Sequence, residues 1–348
     1  MQHDHIDPAL VDFGVLADWM DGQSLPGGAF ERVERLGGGT QNVLVRFWRG
    51  DREYVLRRPP AHLRPKSNDA LRREARVLAA LDGTGVRAPR LIAACADETV
   101  MGGAVFYLME SVRGFNPTTT LPRLHADAPA VRHRMGLDAA AALAELGVVD
   151  HVAVGLGDLG RPGGFLERQV DRWLSELDSY GKLDGYPGPD IPGLMDVASW
   201  LEAGRPRDWR PGIMHGDYHL ANLLYAVDGP EVAAIVDWEM CTIGDPLLDL
   251  GWLIATWPGA DTAKLSGAIG AAGGLPAPAE LVQVYAARSD RDLSALTWYA
   301  VLACFKLGIV LEGTHARAFA GKAPKDVGDL LHATTLGLFA RARTFMEA

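Results

Sequence analysis

Apolar and polar residues alternate with the two-residue period of strands near the start of the chain, then take up helical spacing and hold it almost to the end. Stretches 30–36, 42–48 and 54–57 read as short strands, separated by Gly37-Gly38-Gly39 and by Gly50-Asp51, so the pattern predicts an antiparallel meander. A helix is predicted over 70–81 with Asp69 as its cap. Its inward stripe, Leu71, Leu78 and Leu81, passes through Glu74, a carboxylate among apolar positions. Runs 90–95 and 105–109 complete a five-stranded sheet with one helix.

After Glu110 the pattern turns helical, with helices predicted over 128–146, 164–180, 195–203, 246–257, 278–288, 292–312 and 327–346. One strand–loop–strand island, 212–238, interrupts them and turns back at Asp228-Gly229-Pro230. The expected class is α+β and bilobal: a small β-rich N-lobe over 1–110 and a larger, mainly helical C-lobe over 111–348.

A length of 348 residues suits two domains, and 48% hydrophobic with 22% charged residues excludes general disorder. The net charge is −10 and no basic run occurs, which disfavours a nucleic-acid partner. Cys95, Cys241 and Cys304 stand in no disulfide or zinc pattern. The first residues carry neither a basic region nor an apolar one of the signal-peptide kind, and the longest apolar run, 298–311, is broken by Lys306 and reads as too short to span a bilayer. A cytoplasmic location without a membrane partner is expected; oligomeric state is not legible.

The island carries the chemistry. If its turn centres on Asp228-Gly229, Asp237 falls opposite residue 220, so Asp217, Asn222 and Asp237 are expected to converge at one end of a hairpin. Two carboxylates and a carboxamide are the oxygen ligands that Mg²⁺ prefers. His215, Asp217 and Asn222 have the H-x-D-x-x-x-x-N spacing of a kinase catalytic loop, in which the Asp takes the proton of the attacking hydroxyl and the Asn holds a metal. One carboxylate must stay unliganded to act as a base, because a bound metal lowers its basicity.

These residues, with Ile235-Val236-Asp237-Trp238-Glu239 and Gly244-Asp245-Pro246-Leu247-Leu248-Asp249-Leu250, resemble the aminoglycoside phosphotransferase family, a branch of the protein-kinase-like fold. The resemblance runs over roughly 25–345 and is concentrated in 213–250. It is strongest to the subgroup related to the kinase-like domain fused to acyl-CoA dehydrogenases, which is associated with hydroxyacyl substrates. It implies ATP and Mg²⁺ as cofactors and a small-molecule hydroxyl acceptor.

Carried over, the resemblance makes Asp217 the catalytic base and Asn222 and Asp237 the metal ligands, with His215 holding the loop and Asp249 supporting it. Asp245 becomes the N-cap of the next helix and Pro246 its first residue. Gly37, Gly38, Gly39 and Thr40 resemble the turn that covers the phosphates, and Met109, Glu110 and Val112 the hinge that takes adenine through its backbone. Glu74 calls for a cation on the third strand, where the family's usual Lys is replaced by Arg57 or Arg58; strand alternation admits one of them, and Arg57 is preferred.

The acceptor is open between an aminoglycoside, a hydroxy acid or hydroxyacyl-CoA, and an amino alcohol. Asp171, Glu176, Asp178 and Asp184 would suit an amino sugar, whereas Lys306 and Arg317 would suit an anion. Two other readings stand beside the kinase: a metal-dependent hydrolase using His215, Asp217 and His219 on one strand face, and a nucleotide-binding pseudokinase.

Overall fold

Cross-strand pairing builds the expected five-stranded sheet in the first part of the chain. In the computed structural model, which describes residues 6–7, 10–37, 42–259 and 266–347, β1 (Phe30–Leu36), β2 (Val43–Arg49), β3 (Arg52–Arg58), β4 (Leu91–Cys95) and β5 (Phe106–Glu110) stand in the order β1-β2-β3-β5-β4. Every neighbouring pair is antiparallel. Strand β2 alternates buried and half-buried residues along its length, which fixes its register because a one-residue slip would turn its core face to water. Arg57 lies opposite Leu44 on one side and Tyr107 on the other.

Two helices, not one, accompany the sheet. Helix α1 (Phe13–Gly22) escaped the reading of the sequence; Asp12 caps it by accepting the N–H groups of Gly14 and Val15 at 2.9 and 3.1 Å. Its Leu16 and Met20 enter the core formed by Val45, Phe47, Leu56 and Phe106. Helix α2 (Ser67–Leu81) starts earlier than expected, behind Lys66 with φ 72°, and Asp69 lies in its first turn rather than at the cap.

The chain separates into two compact units, Met1–Arg113 with Ala233–Cys241, and Gly114–Val232 with Thr242–Ala348. Segment 233–241 thus returns to the first unit, where the Ile235 N–H bonds the Arg87 carbonyl at 2.6 Å.

The second unit is mainly helical: α3 (Arg123–Asp127), α4 (Pro129–Gly147), α5 (Gln169–Ser179), α6 (Leu194–Ala203), α7 (Leu247–Thr256), α8 (Gly267–Ala272), α9 (Pro278–Ala286), α10 (Leu296–Phe319) and α11 (Lys325–Glu347). Short strands β6 (Gly212–Met214) and β7 (Leu223–Tyr225) precede β8 (Val232–Ile235) and β9 (Thr242–Gly244). Strands β7 and β8 flank the expected turn at 228–230, and β6 pairs with β9, Ile213 opposite Ile243.

Helix α10 corrects the reading of 298–311. Among the described residues it is the one helix long and apolar enough to cross a membrane, yet 72% of its apolar window is buried within the unit, as in a core helix.

Candidate active site

Loop 215–222 is built in the second unit. Beyond β6 the chain turns at Gly216, whose φ of 85° lies in the left-handed region that a side chain would strain. Asp249, buried on α7, accepts the N–H groups of His215 at 2.6 Å and Gly216 at 2.9 Å. Burial pushes its carboxyl up to about 7, and those two hydrogen bonds oppose the shift.

From α10, Lys306 donates to the Gly216 carbonyl at 3.1 Å. Its ammonium lies 4.4 Å from the Trp252 ring centre and 5.6 Å from that of Trp173. Burial lowers its pKa to about 8, with Asp217 and Asp249 pulling the other way. The Lys306 stem is enclosed, and its ammonium is spent on the backbone of the loop. Arg317 is exposed at the end of α10 and bonds Thr314 Oγ1 at 2.5 Å, apart from the loop residues.

Asp217 is half-buried at the head of the loop. Asn222 Nδ2 donates to its backbone carbonyl at 2.9 Å and to its Oδ2 at 3.0 Å, while His219 Nε2 stands 3.2 Å from Oδ1. The Asp217 N–H donates to His215 Nδ1 at 3.3 Å. Burial alone would raise the carboxyl; His219, His215 and Lys306 outweigh it and hold the group well below the usual carboxylate range. Residues 215–219 form a turn and not a strand, so His215, Asp217 and His219 do not share a strand face, and the hydrolase reading loses its basis.

Asp245 is buried and bonds the Leu247 N–H at 3.0 Å, one residue beyond the expected start, since α7 begins at Leu247 with Pro246 flanking it. The Tyr299 hydroxyl donates to its other oxygen.

A second cluster lies in the first unit. Arg57 Nε is 3.0 Å from Glu74 Oε2, its Nη2 is 2.7 Å from Asp237 Oδ1, and Glu239 Oε2 stands 3.8 Å away. Burial would lower the Arg57 pKa, but Glu74, Tyr107 and Asp237 raise it overall, so the guanidinium stays charged. Glu74 is pushed up to about 7, chiefly by burial, with Arg57 opposing and Asp237 and Glu239 adding to the rise. Arg57 is thus held charged by its carboxylate neighbours, whereas Glu74 is shifted mainly by its own burial. Asp237 has φ 68°, a backbone state that Asp tolerates and that recurs at functional sites.

Arg58, the alternative at this strand position, is engaged elsewhere. It is buried, with Nε on the Pro59 carbonyl at 3.0 Å and Nη1 on the Leu10 carbonyl. Asn42, Tyr107 and Glu239 were given no role from the sequence. Asn42 Nδ2 reaches Glu239 Oε2 at 3.3 Å, and Tyr107 bonds Glu74. Glu239 stood two residues after Asp237 in the quoted motif, and its acidic charge beside a metal-type carboxylate was the available signal. Gly37 is exposed after β1, while Gly38, Gly39 and Thr40 lie outside the described residues. Met109 is buried in β5, Glu110 ends that strand, and Val112 follows, half-buried and outside any strand.

The sequence profile of the phosphotransferase enzyme family matches residues 32–284. The chain belongs to this family. A candidate aminoglycoside phosphotransferase of Ralstonia eutropha, known from its crystal structure, superposes on this chain with a TM-score of 0.78 at 29% identity, covering 96% of this chain and 98% of that one. Acyl-CoA dehydrogenase family member 11 of Homo sapiens is 30% identical over 81% of this chain. The chain spans 36% of that longer relative. Aminoglycoside 2'-phosphotransferase-IIIa, solved as its GDP complex, shares the fold at a TM-score of 0.61 and 18% identity, covering 94% of this chain and 97% of its own. The fold is accordingly protein-kinase-like.

Proposed function

We propose that this phosphotransferase is an ATP- and Mg²⁺-dependent kinase acting on the hydroxyl of a small anionic acceptor, a hydroxy acid or hydroxyacyl-CoA. The observation that carries the reading is Asp217 held as an oriented carboxylate by Asn222 Nδ2 at 3.0 Å, on a turn that Asp249 and Lys306 support. Asp217 accepts the proton of the acceptor hydroxyl as its oxygen takes the γ-phosphoryl group, and ADP leaves. A weakly basic carboxylate suffices, because the loose transition state asks mainly for orientation.

The donors fit Mg²⁺, an ion that takes hard oxygen ligands. Asp237 engages Arg57 through Oδ1 and keeps Oδ2, while Asn222 donates through Nδ2 and keeps its carbonyl oxygen. A divalent cation would add positive charge beside the Asp237 carboxylate, which Arg57 meets through one oxygen. When bound, the ion neutralises charge on the β- and γ-phosphate oxygens. Arg57, positioned by Glu74, contributes a phosphate-gripping fork.

The acyl-linked acceptor is supported by the match to an acyl-CoA dehydrogenase family member. Asp171, Glu176, Asp178 and Asp184 are all exposed, as a solvated face would be, which lends no support to an amino-sugar cradle. Cys95, Cys241 and Cys304 are buried and outside any disulfide, compatible with the reducing cytoplasm. An ADP-release assay across hydroxyacyl-CoAs, hydroxy acids, amino sugars and amino alcohols tests the reading. Acceptor-dependent ADP formation with the first two classes is expected. Turnover confined to amino sugars would overturn the acceptor assignment, and turnover with none of the four classes would overturn the kinase reading itself.

A further inference from the structure

A second group of chemically capable side chains lies in the second unit and has no part in the reaction above. Glu312 and His315 stand three residues apart on α10, so they share a helix face. Helix α11 brings His332 to them. The close approach depends on Gly328, where a Cβ would come within 2.6 Å of the Ala318 Cβ and 3.3 Å of the His315 Cα. One turn later His332 stacks on His315, with ring centres 4.4 Å apart and planes at 19°. One donor atom from each of Glu312, His315 and His332 lies within 4.8 Å of the others. Among the described residues, this is the only trio of potential metal ligands so disposed.

Hydrogen bonding within the protein accounts for part of this arrangement. His332 Nδ1 lies 2.7 Å from Glu312 Oε2, and the Tyr186 hydroxyl donates to Glu312 Oε1 at 2.7 Å. His315 Nδ1, by contrast, is buried without a hydrogen-bond partner, and Asp329 Oδ1 stands 3.8 Å from it. Glu312 is fully buried, and its one ion-pair partner among the described residues is a histidine, charged only when protonated. A buried carboxylate without a permanent cation and a buried imidazole nitrogen without a partner are both satisfied by one shared cation.

We propose that Glu312, His315 and His332 form a Zn²⁺ site that clamps α10 to α11. Two imidazoles and a carboxylate are borderline donors that suit Zn²⁺, whereas Mg²⁺ takes oxygen ligands, so this site is distinct from the one assigned to the reaction. Glu-x-x-His on one helix is a recurring way of presenting two ligands to one ion. Tyr186 supplies the outer hydrogen bond that orients a ligating carboxylate. A tetrahedral ion with bonds of about 2.0–2.1 Å places its ligand atoms about 3.4 Å apart. Binding turns the His315 and His332 rings out of their stacked arrangement so that both lone pairs meet one ion, with Asp329 or water as fourth ligand.

The test uses the full chain stripped with a chelator. Zn²⁺ titrated by calorimetry should bind at one equivalent and raise the unfolding temperature by about 5 °C at a hundredfold excess over Kd, with no such rise from Mg²⁺. Co²⁺ in its place should give the visible bands of a four-coordinate ion without a thiolate charge-transfer band. His315→Gln with His332→Gln should abolish the equivalent while leaving the metal-free circular dichroism spectrum unchanged. Tyr186→Phe should weaken binding about tenfold. Wild-type protein whose unfolding Zn²⁺ does not shift, or a double variant that binds Zn²⁺ as tightly as wild type, would overturn the assignment. Should the double variant not fold, a thiolate-type Co²⁺ spectrum in wild type would overturn it equally, by placing the ion on cysteine.

Discussion

Lys306 holds the backbone of Gly216: its buried ammonium donates to that carbonyl at 3.1 Å while Asp249 takes the Gly216 N–H at 2.9 Å. The turn that presents Asp217 is thus gripped from both sides of one residue, by a cation on α10 and an anion on α7.

Lys306→Met should lower both stability and turnover. The apolar stem is kept, but the buried Asp249 carboxyl loses its nearby cation and the Gly216 carbonyl its donor, so the unfolding free energy should fall by about 1–3 kcal/mol. The turnover number should fall about tenfold or more as the turn loosens. Thermal unfolding and ADP-release kinetics on one preparation check this; an unchanged turnover number would show that Lys306 does not position the loop.

Asp217→Asn should lower the turnover number by about 10²–10⁴-fold with nucleotide binding retained. Asp237→Ala should do the reverse, weakening Mg²⁺-dependent nucleotide binding first. Titration calorimetry beside steady-state assays distinguishes the two, and equal effects of both variants on nucleotide affinity would count against the division of roles.

On β3, Arg57→Ala should raise KM for ATP and destabilise the fold by about 3–5 kcal/mol, because it strands the buried Glu74. Arg57→Lys should recover part of the ATP affinity, since a point charge still meets phosphate. Arg58→Ala should lose about 1–3 kcal/mol of stability through its carbonyl partners at Pro59 and Leu10, with KM for ATP unchanged. Denaturant unfolding with ATP-dependent kinetics tests all three variants, and a KM effect confined to Arg58→Ala would reverse the assignment.

Glu74 makes a pH-dependent contribution whose sign is fixed by burial. Its carboxyl is raised from an ordinary 4.5 to about 7, so between those values the folded state binds more protons than the unfolded one. Its contribution is therefore full below pH 4.5 and is lost as pH rises towards 7, a change on the order of 3 kcal/mol at most. Glu74→Gln should flatten the fall in stability over that window relative to wild type, as read from denaturant unfolding at closely spaced pH values. Identical slopes would mean that Glu74 is ionised across the window.

The sequence by itself determined what short spacing and periodicity encode. His215, Asp217 and Asn222 lie within one turn-forming stretch, so their mutual geometry follows from a few backbone dihedrals around Gly216. Alternation along β2 and the carboxylate in the apolar stripe of α2 were legible for the same reason, and the Arg57–Glu74 pair followed from them. Helix α1 was not legible, because an isolated Asp cap ahead of ten residues resembles a loop until Leu16 and Met20 find the sheet.

Tertiary structure alone decided the long-range partners. Lys306 reaches Gly216 across 90 positions of sequence, and Asn42 reaches Glu239 across 197. Strand β6 found its partner in β9, about thirty residues on, and His332 met His315 because α10 and α11 approach closely at Gly328. A polar side chain buried by packing must bond whatever donor or acceptor the packing brings within about 3 Å, and that choice belongs to the arrangement of helices and strands, which no local pattern encodes.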